Sequence, residues 1–469
     1  MVKVPLAMHM SHTAERVNPK IYCASIKTAE ILRQQPRNHL VLGKKFRKRH
    51  EERLEKDAKK PEPGSTQKIR PSKISWIVFF FSIVIVIISL TPVVFPSLII
   101  ANFAQVNDLE RFGISGLEIN PYQPGPLSGA LFVTSGIIFA LAFLHFKKRL
   151  PQFISKAFQF IFDFEVSKKI ALISLIVILA IYVAATANEL GTEENWEDYV
   201  GVKQRLEKWS PDQIARSFEP HVNYFFISSS MILFGNYAVI PFLTSIALVI
   251  MTYFFTKQIT QKRFAGLVAA VILLQSNVFL TFDTSVAYSN FWVLFYMLSL
   301  YFMYRIWPLS PISYLVSIPA KALTVTFLPM SIYFLLRCSI SRKKKMIIAG
   351  SMIGIIIAGV AASSGTDITG NQEKFLSEEF WIGFASFATQ MRFDGLVILF
   401  MIPLVVGLLF ASTKNKHAES MMVMISGMLL IAPFLAGFSD QTNQPYRFVP
   451  LVTFFAVGVG ILLSRARSL

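Results

Sequence analysis

Residues 311–338 read PISYLVSIPAKALTVTFLPMSIYFLLRC, and how they meet a membrane decides the fold. The stretch is apolar apart from Lys321 and Arg337, and it lies between Arg305 and the cations of 342–345. Short basic loops collect on the cytoplasmic side of membrane proteins, so both flanks point to the same side. The segment must then go out and come back. Each half is shorter than the roughly 20 residues a helix needs to cross about 30 Å of hydrocarbon. Broken helices are tolerated at that depth only where protein or a water-filled cavity covers the freed backbone. Pro319 and Lys321 mark the break. The expectation is two half-spans bordering an outward cavity.

The rest of the chain fits an all-α, polytopic membrane helical bundle. Of 469 residues, 53% are hydrophobic and 43 are Phe, more apolar surface than a soluble chain of this length would carry. About twelve membrane segments are expected, near 75–100, 128–146, 169–187, 229–256, 264–282, 286–305, 311–322, 323–338, 345–362, 395–412, 419–437 and 447–463. Loop charges set the orientation. Lys147, Lys148, Arg149, Lys168 and Lys169 share one side with Lys257, Lys262, Arg263, Lys343, Lys344, Lys414 and Lys416. Asp108, Glu110, Glu193 to Asp198, Asp283, Asp367, Glu378, Glu379 and Asp440 fall on the other. Both termini are then cytoplasmic, in an integral protein expected in the cell membrane.

Charge and composition divide the chain further. Residues 1–74 form a basic, mixed-charge tail, expected to be disordered. Its juxtamembrane cations would attract anionic membrane lipids at roughly 1 kcal/mol each. The net charge of +18 therefore reports orientation, and no nucleic-acid partner is expected. Residues 75–168 hold two additional N-terminal spans and an amphipathic linker. The stretch 169–362 is the candidate catalytic module, and 363–469 holds an outward loop and three C-terminal spans. Cys23 and Cys338 imply neither a disulfide framework nor a Cys/His metal site. No apolar h-region of a cleavable signal peptide is seen near Met1.

The outward loop after the third span is dense in acids: Glu193, Glu194, Glu197 and Asp198. Thr192 reads as an N-cap, with Glu193 and Glu194 in the first turn of an interfacial helix, where the dipole favours them. That accounts less well for Glu197 and Asp198. Glu193/Glu197 and Glu194/Asp198 would be like-charge pairs four apart, each costing about 0.2–0.5 kcal/mol. A cation or a catalytic need would justify the crowding, so capping and a site stand side by side. A second interfacial helix is expected from Ser210-Pro211-Asp212-Gln213, ending near Pro220. His221 opens the descent into the membrane and reads as an interface residue or a ligand. Asp283 occupies the rim of the next outward loop. Lys321 sits at the helix break, as a functional cation or one whose stem snorkels. Arg447 opens the last span against the local charge bias, and its fork suits a phosphate.

In order and sidedness these residues resemble the GT-C superfamily of polytopic glycosyltransferases, over about 169–362 and again at 440–465. That family places an acid early in the loop after one span, where Glu193, Glu194, Glu197 and Asp198 stand here. Pro220-His221, Tyr224-Phe225 and Leu233-Phe234-Gly235 follow in its order. Asp283 matches a second acid, Ala320-Lys321-Ala322 a Lys in a broken span, and Tyr446-Arg447-Phe448 with Pro450 a late Arg/Tyr step. Departures are the missing Pro-Pro after His221, Glu-Glu in place of Asp-Glu, and two extra spans at the start. No large C-terminal soluble domain follows, so the likeness is to protein mannosyltransferases and aminoarabinose transferases.

The resemblance implies a polyprenyl-phosphate-sugar donor and an unknown acceptor, whether protein, lipid or glycan. Glu194, Glu193, Glu197, Asp198 and Asp283 would be the catalytic candidates. His221, Lys321, Arg447 and Tyr446 would bind substrate. A metal, Mg2+ or Mn2+, is optional in that family. The rival is a non-enzymatic membrane protein, a transporter or a subunit of a larger complex. Broken helices suit a transporter equally well, although no inverted repeat of the spans is seen.

Overall fold

A computed structural model describes residues 71–98, 120–147, 149–194, 197–208, 221–363, 375–438 and 444–464. The expected tail lies almost wholly outside these residues. Every regular element among them is helical: α1 (Lys73–Val94), α2 (Ser128–Phe146), α3 (Gln152–Asp163), α4 (Lys168–Thr186), α5 (Glu197–Lys208), α6 (His221–Phe234), α7 (Val239–Thr260), α8 (Arg263–Leu274), α9 (Asn277–Thr281), α10 (Phe291–Arg305), α11 (Leu309–Ala320), α12 (Leu328–Arg337), α13 (Arg342–Ser363), α14 (Ser377–Gln390), α15 (Gly395–Ala411), α16 (His417–Ala436) and α17 (Val449–Leu462). Short 3-10 turns occupy Ala187–Gly191, Ala322–Phe327 and Pro445–Phe448.

Six helices among the described residues are long and apolar enough to cross a membrane: α1, α2, α4, α7, α16, and α17 with the turn before it. α14 and α15 together would make one more, bent by 118° at their junction. The outer surface agrees with a lipid solvent. Phe80 and Phe81 of α1, Phe132 and Ile137 of α2, and Ile173, Ile176 and Ile181 of α4 are all exposed. Soluble monomers rarely show so continuous an apolar face. The chain is an integral membrane protein.

Small residues let the helices approach. Ser75, Ser82 and Ser89 recur every seventh residue on one buried face of α1. Ser82 donates to the Met422 carbonyl of α16 at 3.1 Å. A Cβ on Gly460 of α17 would come within 2.4 Å of Thr256 and 3.0 Å of the Ala265 carbonyl. Such contacts replace the hydrophobic drive that lipid does not supply between helices.

Side-chain contacts define two ends of the bundle. At one, Arg337 at the end of α12 meets Glu419 at the start of α16. Asn415 there donates to Ile259 at 3.0 Å, and Lys262 to Phe162 at 2.5 Å. At the other end Tyr182 meets Asp283, and Lys321 meets Tyr446. α11 leaves the Glu419 end, breaks at Lys321 near the far end, and α12 returns. With 12 residues, α11 is only about 18 Å long at 1.5 Å per residue. The freed backbone at the break is satisfied: Tyr314 donates to the Thr324 carbonyl at 3.0 Å, and Thr324 to the Ser317 carbonyl at 3.1 Å.

Several expected boundaries are corrected. The span placed at 229–256 is two helices, because Gly235 adopts a left-handed φ of 69° and ends α6. Asn236 completes the turn, accepting from Ala238 N at 2.8 Å and donating to the Leu190 carbonyl at 2.6 Å. The span at 264–282 is divided at Ser276, whose hydroxyl caps α9. The span at 286–305 starts only at Phe291, since 282–290 form a loop. The outward loop assigned from 363 contains α14. The helix foreseen from Thr192 begins instead at Glu197, and Thr192 is extended. The helix expected at Ser210–Pro220 lies outside the described residues.

Candidate functional site

Loop 282–290 is the hub of the Asp283 end, and its own polar residues hold its shape. Ser245 of α7 donates to the Asp283 carbonyl at 2.7 Å. Asn290 donates to Ser245 at 3.1 Å and to the Phe282 carbonyl at 3.2 Å. The Ser285 hydroxyl accepts the Tyr288 amide at 3.0 Å. Tertiary hydrogen bonds thus do for this loop what a helix ladder does elsewhere.

Glu194 docks onto that hub. One carboxylate oxygen accepts the Val286 amide, and the other accepts the Ser285 hydroxyl at 3.0 Å. The Ala287 amide also favours the charged form. These amides are why Glu194 does not sit in a helical first turn. The loop offers a carboxylate fixed N–H donors in a half-buried place, where a bond to a charged group is worth more than at a solvated helix end. Burial still dominates and raises its pKa above the ordinary glutamate range.

Asp198, on exposed α5, accepts the Tyr288 hydroxyl. The Tyr288 ring stacks on Tyr446, centroids 4.4 Å apart and planes 15° from parallel. Lys321 Nζ donates to the Tyr446 hydroxyl at 2.7 Å and lies 4.7 Å above the ring. Arg447 Nε lies 3.5 Å from the same hydroxyl. An unbroken line of contacts therefore runs from the acid loop through two tyrosines to two cations. Among the described residues, Lys321 has no carboxylate within ion-pair distance.

Asp283 belongs to the same hub but faces the other way. It is 1% exposed, its Oδ2 accepts Tyr182 of α4 at 2.7 Å, and its Oδ1 has no hydrogen-bond partner among the described residues. Burial raises its pKa to about 7 against the opposing hydrogen bond from Tyr182, and the charge of Glu189 raises it further.

A cavity of about 450 Å³ opens beside Glu194. Glu193, Tyr199, Lys203, Glu207 and Asn236 also form its walls. Asp198, Asp283, Lys321, Tyr446 and Arg447 do not. This cavity is thus not shared by Glu194, Asp283, Lys321 and Arg447: Glu194 borders it, and Lys321 and Arg447 connect to it through loop 282–290. Glu193 pairs with Lys203 at 2.8 Å at the surface, which holds its carboxyl below the usual range.

The side chains of Glu197 and His221 lie outside the described set. Tyr288, Ser285 and Tyr182 were missed from sequence. Only Tyr182 carried a signal, a phenol four residues before Thr186 in an otherwise apolar span. Among the described residues no group of three or more His, Cys, Asp and Glu side chains is arranged to hold a metal. No family model, curated protein or solved structure matches the chain.

Proposed function

We propose that the chain is a membrane glycosyltransferase of the GT-C type, moving a sugar from a polyprenyl phosphate to an acceptor hydroxyl at the outer face of the cell membrane. The observation that carries this reading is the position of Glu194. It borders a cavity on one side, and loop 285–288 links it to Tyr446, Lys321 and Arg447 on the other. For transfer, loop 285–288 would have to move aside as both substrates bind, so that the acceptor oxygen in the cavity reaches the anomeric carbon of a donor whose phosphate sits at the cations.

Glu194 is the general base. Its carboxylate takes the acceptor hydroxyl proton as that oxygen attacks the anomeric carbon. The bond from the anomeric carbon to the phosphate oxygen breaks, and the lipid phosphate leaves carrying the electron pair. Lys321 and Arg447 stabilise that growing negative charge. In the free protein, the Tyr446 hydroxyl stands where the cations would receive a phosphate oxygen. Asp198 fixes Tyr288, and through it the ring of Tyr446. Asp283, turned toward Tyr182, positions the loop. Glu197 and His221 stay with the acceptor loop, and Glu193 serves as the surface partner of Lys203.

The topology that suits this chemistry has about twelve crossings, the shorter α8, α10, α11 and α12 included, with both termini cytoplasmic. Purified protein incubated with a panel of polyprenyl-phosphate sugars and acceptors, followed by mass spectrometry, tests the reading. Free lipid phosphate and a glycosylated product in equal amounts are expected. No release from any donor contradicts it.

A further inference from the structure

The linker helix α3 lies at the Glu419 end, and no other described helix covers it. None of its twelve residues is buried. Gln152, Lys156, Gln159 and Asp163 recur at three and four residues and form one polar stripe. The rest of its circumference carries Phe153, Phe158, Phe160, Ile161 and Phe162, all exposed. So apolar a face, uncovered among the described residues, needs a partner of matching chemistry.

The ends of α3 are fixed. It begins shortly after α2 and is separated by four residues from Lys168, which opens α4, and both neighbours qualify as membrane spans. The buried Lys262 donates to the Phe162 carbonyl at 2.5 Å, closing the last turn. Phe164 packs edge-on against Phe264 at 4.8 Å. Arg263 donates to the Val166 carbonyl at 3.0 Å. α3 is therefore pinned where two spans reach the membrane surface, with its phenylalanines outward. The flanks are cationic: Lys147, Arg149, Lys156, Lys168 and Lys169 are all exposed, against the single exposed acid Asp163.

We propose that α3 lies in the membrane plane and binds anionic phospholipid headgroups, its phenylalanines seated among the acyl chains and the flanking cations holding lipid phosphates. Two features favour lipid over a protein partner. α3 joins α2 and α4, whose own exposed residues are apolar, and an interfacial helix with a basic margin is the form that binds anionic leaflets. The proposal does not depend on the sugar-transfer reading.

The test uses the full chain, reconstituted with equal phosphatidylglycerol and phosphatidylcholine and then released for native mass spectrometry. Wild type is expected to retain phosphatidylglycerol preferentially. Lys147→Gln/Lys156→Gln/Lys168→Gln/Lys169→Gln should lower that preference roughly tenfold or more, while Lys414→Gln/Lys416→Gln at the same end keeps it. Phe160→Trp should be quenched by brominated acyl chains. Equal retention by wild type and the fourfold variant, or a Phe160→Trp signal that brominated lipid leaves unchanged, would overturn the proposal. The quenching stays informative if the fourfold variant does not fold.

Discussion

The two ends of the bundle use the same residue types differently. At one end Glu419, buried at the start of α16, meets the Arg337 guanidinium directly. Ser72 at 3.4 Å, Ser75 and Tyr333 at 3.2 Å add their hydroxyls to the same carboxylate. The charges are spent on each other, and the cluster ties α1, α12 and α16 together. At the other end, two stacked tyrosines separate Asp198 from Lys321. Charge held apart in this way costs stability but stays available to a ligand, as active sites require. The difference separates a structural ion pair from a candidate site where sequence alone shows only acids and cations in apolar surroundings.

Breaking the comparison at its catalytic side should give the largest effects. Glu194→Gln is expected to lower sugar transfer by about 10²–10⁴, the range of a positioned base. Lys321→Ala should cost about 10²–10³ and lower thermal stability in detergent less than Arg337→Met does, because it loses a hydrogen bond and a cation–π contact to Tyr446 but no ion pair. At the Glu419 end the pattern reverses. Arg337→Met should destabilise by about 3–5 kcal/mol, since it leaves a buried carboxylate unpaired. Adding Glu419→Gln should restore most of that stability, as read by thermal unfolding.

A smaller effect concerns pH. The folded pKa of Asp283, about 7, exceeds its unfolded value, so the folded state holds the proton more tightly. Its contribution is most favourable below about pH 4 and is lost as pH rises toward 7. Asp283→Asn should flatten unfolding temperature against pH over that window. The smallest effect is expected at Glu193: Glu193→Gln removes only an exposed pair with Lys203 and should change neither folding nor transfer measurably.

The break at Lys321 was legible in the sequence because it follows from local chemistry. Lys321 interrupts an apolar run, and Pro319 stands beside it. The break at Gly235 was hidden by hydropathy, which stays high on both sides, although Gly235-Asn236 is itself a turn signal. α14 was missed because Glu378 and Glu379 read as loop acids, whereas they occupy its first turn. The partners of Glu194 could not be read at all. Val286 lies 92 positions away, and a backbone amide carries no signature of the carboxylate it will bind. The helix-cap reading of Glu194 rested on the nearest amides in the chain, and tertiary structure supplied better-placed ones.

The most direct measurement is transfer from a polyprenyl-phosphate sugar by purified wild type and Glu194→Gln, each shown folded by size exclusion, across pH. Wild-type activity should rise with pH through a limb above the ordinary glutamate range, because burial raises the carboxyl it reports. Glu194→Gln should lose that activity at least about a hundredfold. Transfer that survives unchanged in Glu194→Gln would contradict the account.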